Sequence, residues 1–124
     1  MNENEQLMQR AAHEAQQIEK VIEQLSASLD SLTELKETIE EITQLKKGEE
    51  ILLPVANGIF IKGKIEDSSK LYLNVGEGIV LDKNKEQALK LLEKQEAEIL
   101  KSKKEAEEKL EQIMKMLLSK QKNV

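Results

Sequence analysis

The chain has 124 residues, of which 39% are hydrophobic, 35% charged and only 2% aromatic. Ordinary domains carry about 25% charged residues and take much of their core volume from aromatic rings, so a compact self-contained core is not expected. The net charge of −5 argues against nucleic acid or an anionic membrane surface as partner, and the lack of cysteine excludes disulfides and thiolate metal sites.

No apolar run approaches the roughly 20 residues of a membrane span. The start, MNENEQ, is polar and does not lead from a basic region into an apolar one, so a soluble, cytoplasmic protein is expected. Charge is uneven. Residues 1–47 hold 10 acidic and 5 basic residues, whereas 86–124 hold 8 and 9, so the two flanks attract weakly if they lie side by side.

The first flank predicts a helix over 5–47. Its apolar residues Met8, Ala11, Ala15, Ile18, Ile22, Leu25, Leu29 and Leu32 step by three and four, the a/d seam required for knobs-into-holes pairing of helices. Beyond Leu32 the stripe reads Leu35, Ile39, Ile42 and Leu45. The resulting 3+3 step predicts a stammer, a local overwinding of the coil. Lys46 and Lys47 complement a C-terminal dipole, and Gly48 supplies a left-handed cap. Such a helix is a rod of about 60 Å.

Over 49–83 the period falls to two. Ile51, Leu53 and Val55 alternate with Leu52 and Pro54; Ile59, Ile61 and Ile65 with Phe60, Lys62 and Lys64; Leu71, Leu73 and Val75 with Tyr72 and Asn74; Ile79 and Leu81 with Val80 and Asp82. Four short strands, paired as two hairpins, are expected. Asn57-Gly58 is a type I′ turn pair, while Asp67-Ser68-Ser69 and Gly76-Glu77-Gly78 supply the other turns. Pro54 cannot donate to a ladder and belongs at an edge or strand end.

A second helix is expected over 84–123, opened by Asn84 as N-cap with Gln87 three residues on. Leu89, Glu96, Lys103, Leu110 and Leu117 fall at a, and Leu92, Ile99, Ala106 and Ile113 at d. Glu96 and Lys103 interrupt the seam, and such polar a positions help to fix register.

The predicted fold is therefore mainly α: a long antiparallel coiled-coil hairpin with a four-stranded insert. The helices are occupied with each other, so the strands are expected to cover their apolar face by oligomerisation.

Catalysis finds no seat. His13, the single histidine, falls at heptad position f on a helix surface without an orienting partner. The GxG of Gly76-Glu77-Gly78 is followed by a strand and reads as a turn, not a dinucleotide fingerprint. No phosphate-binding loop is present, and the Glu40-Glu41, Glu49-Glu50 and Glu107-Glu108 pairs lack metal-ligand spacing. Lys101, Lys103 and Lys104 stand among glutamates without interleaved aromatics, unlike a nucleic-acid surface. No enzyme, cofactor or metal is expected.

Apolar residues overflow the seam where the two outer helix ends should meet. Ile113 and Leu117 lie in the frame, but Met114, Met116 and Leu118 do not, and Leu7 and Ala12 lie beside Met8 and Ala11. Methionine adapts to irregular shapes and recurs on promiscuous binding faces. Leu7, Met8, Ala11, Ala12, Ile113, Met114, Met116, Leu117 and Leu118 are the candidate site for apolar partners.

The order long helix, LLPVANGIFIKGKIEDSSKLYLNVGEGIVLDKN, long helix resembles the alpha class of the prefoldin family across the whole chain. The most specific residues are Leu53-Pro54, Gly58, the strand through Lys64, Val75-Gly76-Glu77-Gly78 and Asp82-Lys83. The alpha class is similar in having two hairpins between its helices, where the beta class has one. The resemblance implies a hexamer of two alpha and four beta subunits whose strands close a β-barrel platform, with coiled coils hanging from it. It also implies ATP-independent capture of non-native polypeptides at the coil tips and delivery to a group II chaperonin. The implied platform residues are Ile51, Leu53, Val55, Ile59, Ile61, Leu71, Leu73, Val75, Ile79 and Leu81. The rival expectation is a coiled-coil tether or scaffold, or a homo-oligomeric, filamentous relative that needs no beta subunit.

Overall fold

The computed structural model describes residues 2–122, the side chains of Val75, Gln121 and Lys122 excepted. The elements run α1 (Glu3–Thr43), β1 (Glu50–Ala56), β2 (Ile59–Lys64), β3 (Leu71–Gly76), β4 (Ile79–Lys83) and α2 (Lys85–Lys122). They fall into two compact units, Met1–Leu32 with Gln95–Val124, and Thr33–Lys94.

Both helices begin at asparagine caps. The Asn2 side-chain oxygen accepts from the Glu5 backbone N–H at 2.8 Å, and Glu3 and Glu5 place negative charge at the positive end of the dipole. At α2 the expected reciprocal box is present: Asn84 Oδ1 accepts from the Gln87 N–H at 2.8 Å, and Gln87 Oε1 accepts from the Asn84 N–H at 3.0 Å. The first cap was not anticipated, because Asn2 precedes the first apolar residue of the seam by several positions.

In the first unit, Ala11, Ala15 and Ile113 are buried, and Ile18, Leu110 and Leu117 pack against them. Glu14 pairs with Lys109 at 3.1 Å across the two helices. In the second unit, Ile39, Ala88 and Leu92 are buried and Lys85 meets Glu40 at 2.7 Å. Partners on α2 thus fall in number as those on α1 rise, the antiparallel sense. That hydrogen bond to Glu40 raises the Lys85 pKa above the ordinary lysine value.

The end of α1 departs from expectation twice. No stammer is found. The regular frame continues from Leu29 and Leu32 through Lys36, Ile39 and Thr43, all of them half-buried or buried. Leu35 and Ile42 are turned off the seam and exposed. A helix keeps its phase more cheaply than it overwinds, and the Lys36 stem can lie along apolar surface while its charge reaches water. The helix also stops at Thr43, short of residue 47. Its last carbonyls are satisfied by the Thr43 hydroxyl, which donates to Ile39 at 2.7 Å, and by tightened i→i+3 bonds from the Gln44 and Leu45 N–H groups. Gly48, at φ +89°, then donates to the Ile65 carbonyl at 2.7 Å, and Ile65 donates back to Glu49 at 3.0 Å. Lys46 and Lys47 therefore lie in the connection to the strands, not in the final helical turn.

The four strands form two separate two-stranded antiparallel sheets, β1-β2 and β3-β4. The two are built to one plan offset by twenty residues. Leu53 pairs with Ile61 and Leu73 with Leu81; the register slips between Pro54 and Ala56, and again between Asn74 and Gly76. Each slip leaves one extra residue, Val55 and Val75, the signature of a β-bulge. Asn57-Gly58 turns at φ 48° and 78°, and Glu77-Gly78 at 53° and 75°. Both pairs show the positive φ values of a type I′ turn. Gly76 belongs to the bulge, not to the turn as expected, and its N–H donates to the Asn74 side chain at 3.0 Å.

Glu77 holds a left-handed conformation that costs a non-glycine residue roughly 1 kcal/mol, less for asparagine. Glu77→Asn should therefore stabilise the second hairpin by up to about 1 kcal/mol. Slower amide exchange across β3 and β4, with β1 and β2 unchanged, is the expected readout. Unchanged or faster exchange counts against the assigned turn.

Candidate functional site

The hairpins expose apolar side chains on both faces. On one lie Leu53, Ile59 and Ile61, with Ile79 and Leu81 at equivalent positions of the second hairpin, all exposed. Val55, at the bulge, is exposed as well. On the other lie Leu52, Phe60, Tyr72 and Val80, again exposed. This second set was missed, because strict alternation assigned one face to the core and the other to water. The signal was available: Leu52 and Phe60 occupy the nominally polar positions of their strands.

Ile51, Leu71 and Leu73 are half-buried, and the Val75 side chain lies outside the described residues. Leu71 and Leu73 line a cavity of about 210 Å³ together with Tyr72 and with Leu35, Ile39 and Ile42 of α1. The helix is thus not wholly occupied with its partner, contrary to expectation. Its off-seam leucine and isoleucine give the second hairpin partial cover, whereas Phe60, Ile59 and Ile61 remain more than half exposed.

At Gly63 the Leu53 side chain of the paired strand comes close to the backbone. A Cβ there would lie 3.1 Å from Leu53 Cδ1, so this strand position holds no side chain and Leu53 lies over it. Between the hairpins Asp67 accepts from both the hydroxyl and the backbone N–H of Ser69, at 2.9 Å for the latter. Those two bonds hold its carboxyl below the ordinary carboxylate pKa.

The helix ends of the first unit divide the other candidate residues into two sets. Ala11 and Ile113 are buried in the helix–helix cluster, Leu117 packs against it, and Met8 is half-buried. These four hold the coil together. Leu7, Ala12, Met114, Met116 and Leu118 are exposed. Heptad geometry places Leu7 and Met116 on the flank that carries the Glu14–Lys109 pair, since all four are g positions, whereas Ala12 and Met114 are e positions on the opposite flank. Soft apolar surface therefore lies on both sides of the seam at this end.

Among the described residues there is no cluster of histidine, aspartate or glutamate able to hold a metal ion, and no helix is long and apolar enough to cross a membrane. His13 is exposed, and its ring contacts the Gln17 side chain one turn along at 3.1 Å.

Comparison with known proteins agrees with this geometry. A family model described as prefoldin subunit matches residues 11–124. Prefoldin subunit alpha of Methanococcus maripaludis is 36% identical over 88 residues, covering 71% of this chain and 61% of the relative. That of Methanopyrus kandleri is 28% identical, over 69% of this chain and 55% of the relative. Prefoldin subunit alpha 1 of Thermococcus kodakarensis is 30% identical, over 76% and 69%. The chain spans a little over half the length of the first two. A chain in the cryo-EM structure of filamentous PFD from Methanocaldococcus jannaschii superposes with a TM-score of 0.81 at 20% identity, covering 93% of this chain and 95% of that one. With two helices flanking two bulged hairpins, and with a family match that runs from the first seam to the last residue, the chain belongs to the prefoldin family and resembles its alpha subunits.

Proposed function

We propose that this chain is the alpha subunit of a cytoplasmic hexameric co-chaperone, two alpha with four beta subunits. It holds non-native polypeptides at its coiled-coil ends without ATP and passes them to a group II chaperonin. The observation that carries the reading is the pairing of two unsatisfied surfaces: hairpins with apolar residues bare on both faces, and a coil end whose seam is closed while Leu7, Met114, Met116 and Leu118 stay open. The first surface serves assembly, and the second serves capture.

The magnitudes suit reversible holding. A fully buried leucine or methionine contributes roughly 1.5–3 kcal/mol, and a flank contact buries each only in part. After the cost of association, one end binds on the order of millimolar. Several ends acting on one polypeptide strengthen capture by roughly 10²–10⁴ and still release stepwise.

The test leaves the seam intact. A chain carrying Leu7→Gln, Met114→Gln, Met116→Gln and Leu118→Gln should assemble with beta-class subunits as before. Its suppression of light scattering by a diluted denatured protein, without nucleotide, should fall about tenfold. Full suppression by this variant overturns the capture site. A homo-oligomer is the second reading, favoured by the common plan of the two hairpins, which lets one copy's first hairpin stand in for another's second. Native mass measurement of the chain alone, then with beta-class subunits, separates the two.

A further inference from the structure

The placement of methionine at the coil end has a chemical consequence. Met114 and Met116 are 45% and 42% exposed, on opposite flanks of α2. The buried cluster beside them is built from alanine and isoleucine, with leucine and isoleucine packed around it, and holds no methionine. Met8 is half-buried in the seam, and Met1 lies outside the described residues. The two exposed thioethers therefore lie outside the buried helix–helix cluster, and Met8 is the one described methionine that shares in the seam.

We propose that Met114 and Met116 form a paired, reversible oxidation site that weakens capture without unfolding the coil. The inference rests on the capture reading given above. The oxidant is a peroxide. Each thioether sulfur donates an electron pair to one peroxide oxygen, the O–O bond breaks, an S–O bond forms, and the other oxygen leaves as water. Each sulfur is oxidised by two electrons and each peroxide is reduced by two. The product is polar and chiral where the thioether was apolar and adaptable, and methionine sulfoxide reductases restore it. A modest loss at one end is multiplied across the two alpha ends of the assembly, since the affinities of ends that grip one polypeptide compound.

The purified chain is treated with hydrogen peroxide, freed of it, and assembled with untreated beta-class subunits before any denatured protein is added. Peptide mapping should place oxygen on Met114 and Met116 ahead of Met8, with a gain of about 32 Da for the pair. Helical circular dichroism and assembly should be unchanged, and suppression of aggregation should fall about fivefold. Treatment with sulfoxide reductase should restore it, and a Met114→Leu, Met116→Leu chain should resist peroxide throughout. The quadruple glutamine variant sets the floor. Untreated protein that does no better than this floor overturns the capture site itself. Oxidised protein that matches untreated protein, with both well above the floor, overturns only the switch, as does loss of helix on oxidation or equal peroxide sensitivity of the leucine chain.

Discussion

Replacing Ile61 and Leu81 together by lysine should abolish assembly with beta-class subunits while leaving both helices formed. These residues occupy equivalent positions, paired across their ladders with Leu53 and Leu73, and are 54% and 42% exposed in the isolated chain. Their substitution therefore costs the lone protomer little. In an assembly that covers these faces, each change forfeits about half of the roughly 1.5–3 kcal/mol that full burial supplies, and adds the desolvation of an ammonium group, on the order of several kcal/mol. A combined penalty of about 5 kcal/mol or more weakens association by on the order of 10³–10⁴. Native mass spectrometry should show free subunits, while circular dichroism retains the helical signal. Lys62→Gln, next to Ile61 on the opposite face, is the control and should assemble normally. An intact complex from the double lysine chain would mean that these strand faces stay open to solvent in the assembly.

The strands and helices were readable because periodicity is a direct imprint of burial. A period of 3.5 appears where one stripe of a helix is covered, and a period of 2 where one side of a strand is. The same logic explains the failures. At Leu35 and Ile42 apolarity alone was followed, and the half-buried positions Lys36 and Thr43 were passed over because they are polar. Yet Lys36 and Thr43 keep the helical phase, and Leu35 and Ile42 serve a different contact, the cavity they line with Leu71 and Leu73. A long helix with two apolar neighbours carries two overlapping patterns, and one-dimensional spacing cannot separate them without the third element in place.

Strand faces misled in a related way. Leu52, Phe60, Tyr72 and Val80 break the alternation, which signals strands apolar on both sides, as in sheets covered on both faces. The overflow of apolar residues pointed to the coil end, where Leu7, Ala12, Met114, Met116 and Leu118 are exposed. The heptad frame already separated Met8, Ala11, Ile113 and Leu117 from Leu7, Ala12, Met114, Met116 and Leu118, yet the candidate site pooled both sets, because apolar character alone does not say whether a residue holds the coil or faces a partner.

That division yields the second large effect. Ile113→Asp should melt the adjoining helix ends, whereas Met114→Asp should change stability by less than about 0.5 kcal/mol. Ile113 is 9% exposed and clusters with Ala11 and Ala15 at 6% and 5%, with Ile18, Leu110 and Leu117 around them. Removing a buried isoleucine side chain costs roughly 2–5 kcal/mol, and a carboxylate in that setting adds an unpaired charge. The small alanines opposite cannot grow to fill the space. The end of a coil can escape such a penalty by fraying, at the expense of the helical hydrogen bonds there. Amide exchange should therefore accelerate around Ala11–Ile18 and Leu110–Leu117, with a fall in helical circular dichroism. The α2 start at the Asn84 cap should keep its protection. Met114, 45% exposed one residue along, has no such cluster to disturb. The two aspartate variants should thus lose capture for different reasons, one by dissolving the coil end and the other by making its surface polar. Equal melting by both would show that the seam runs through Met114, and would remove the physical basis for separating the residues that hold the coil from those that face a client.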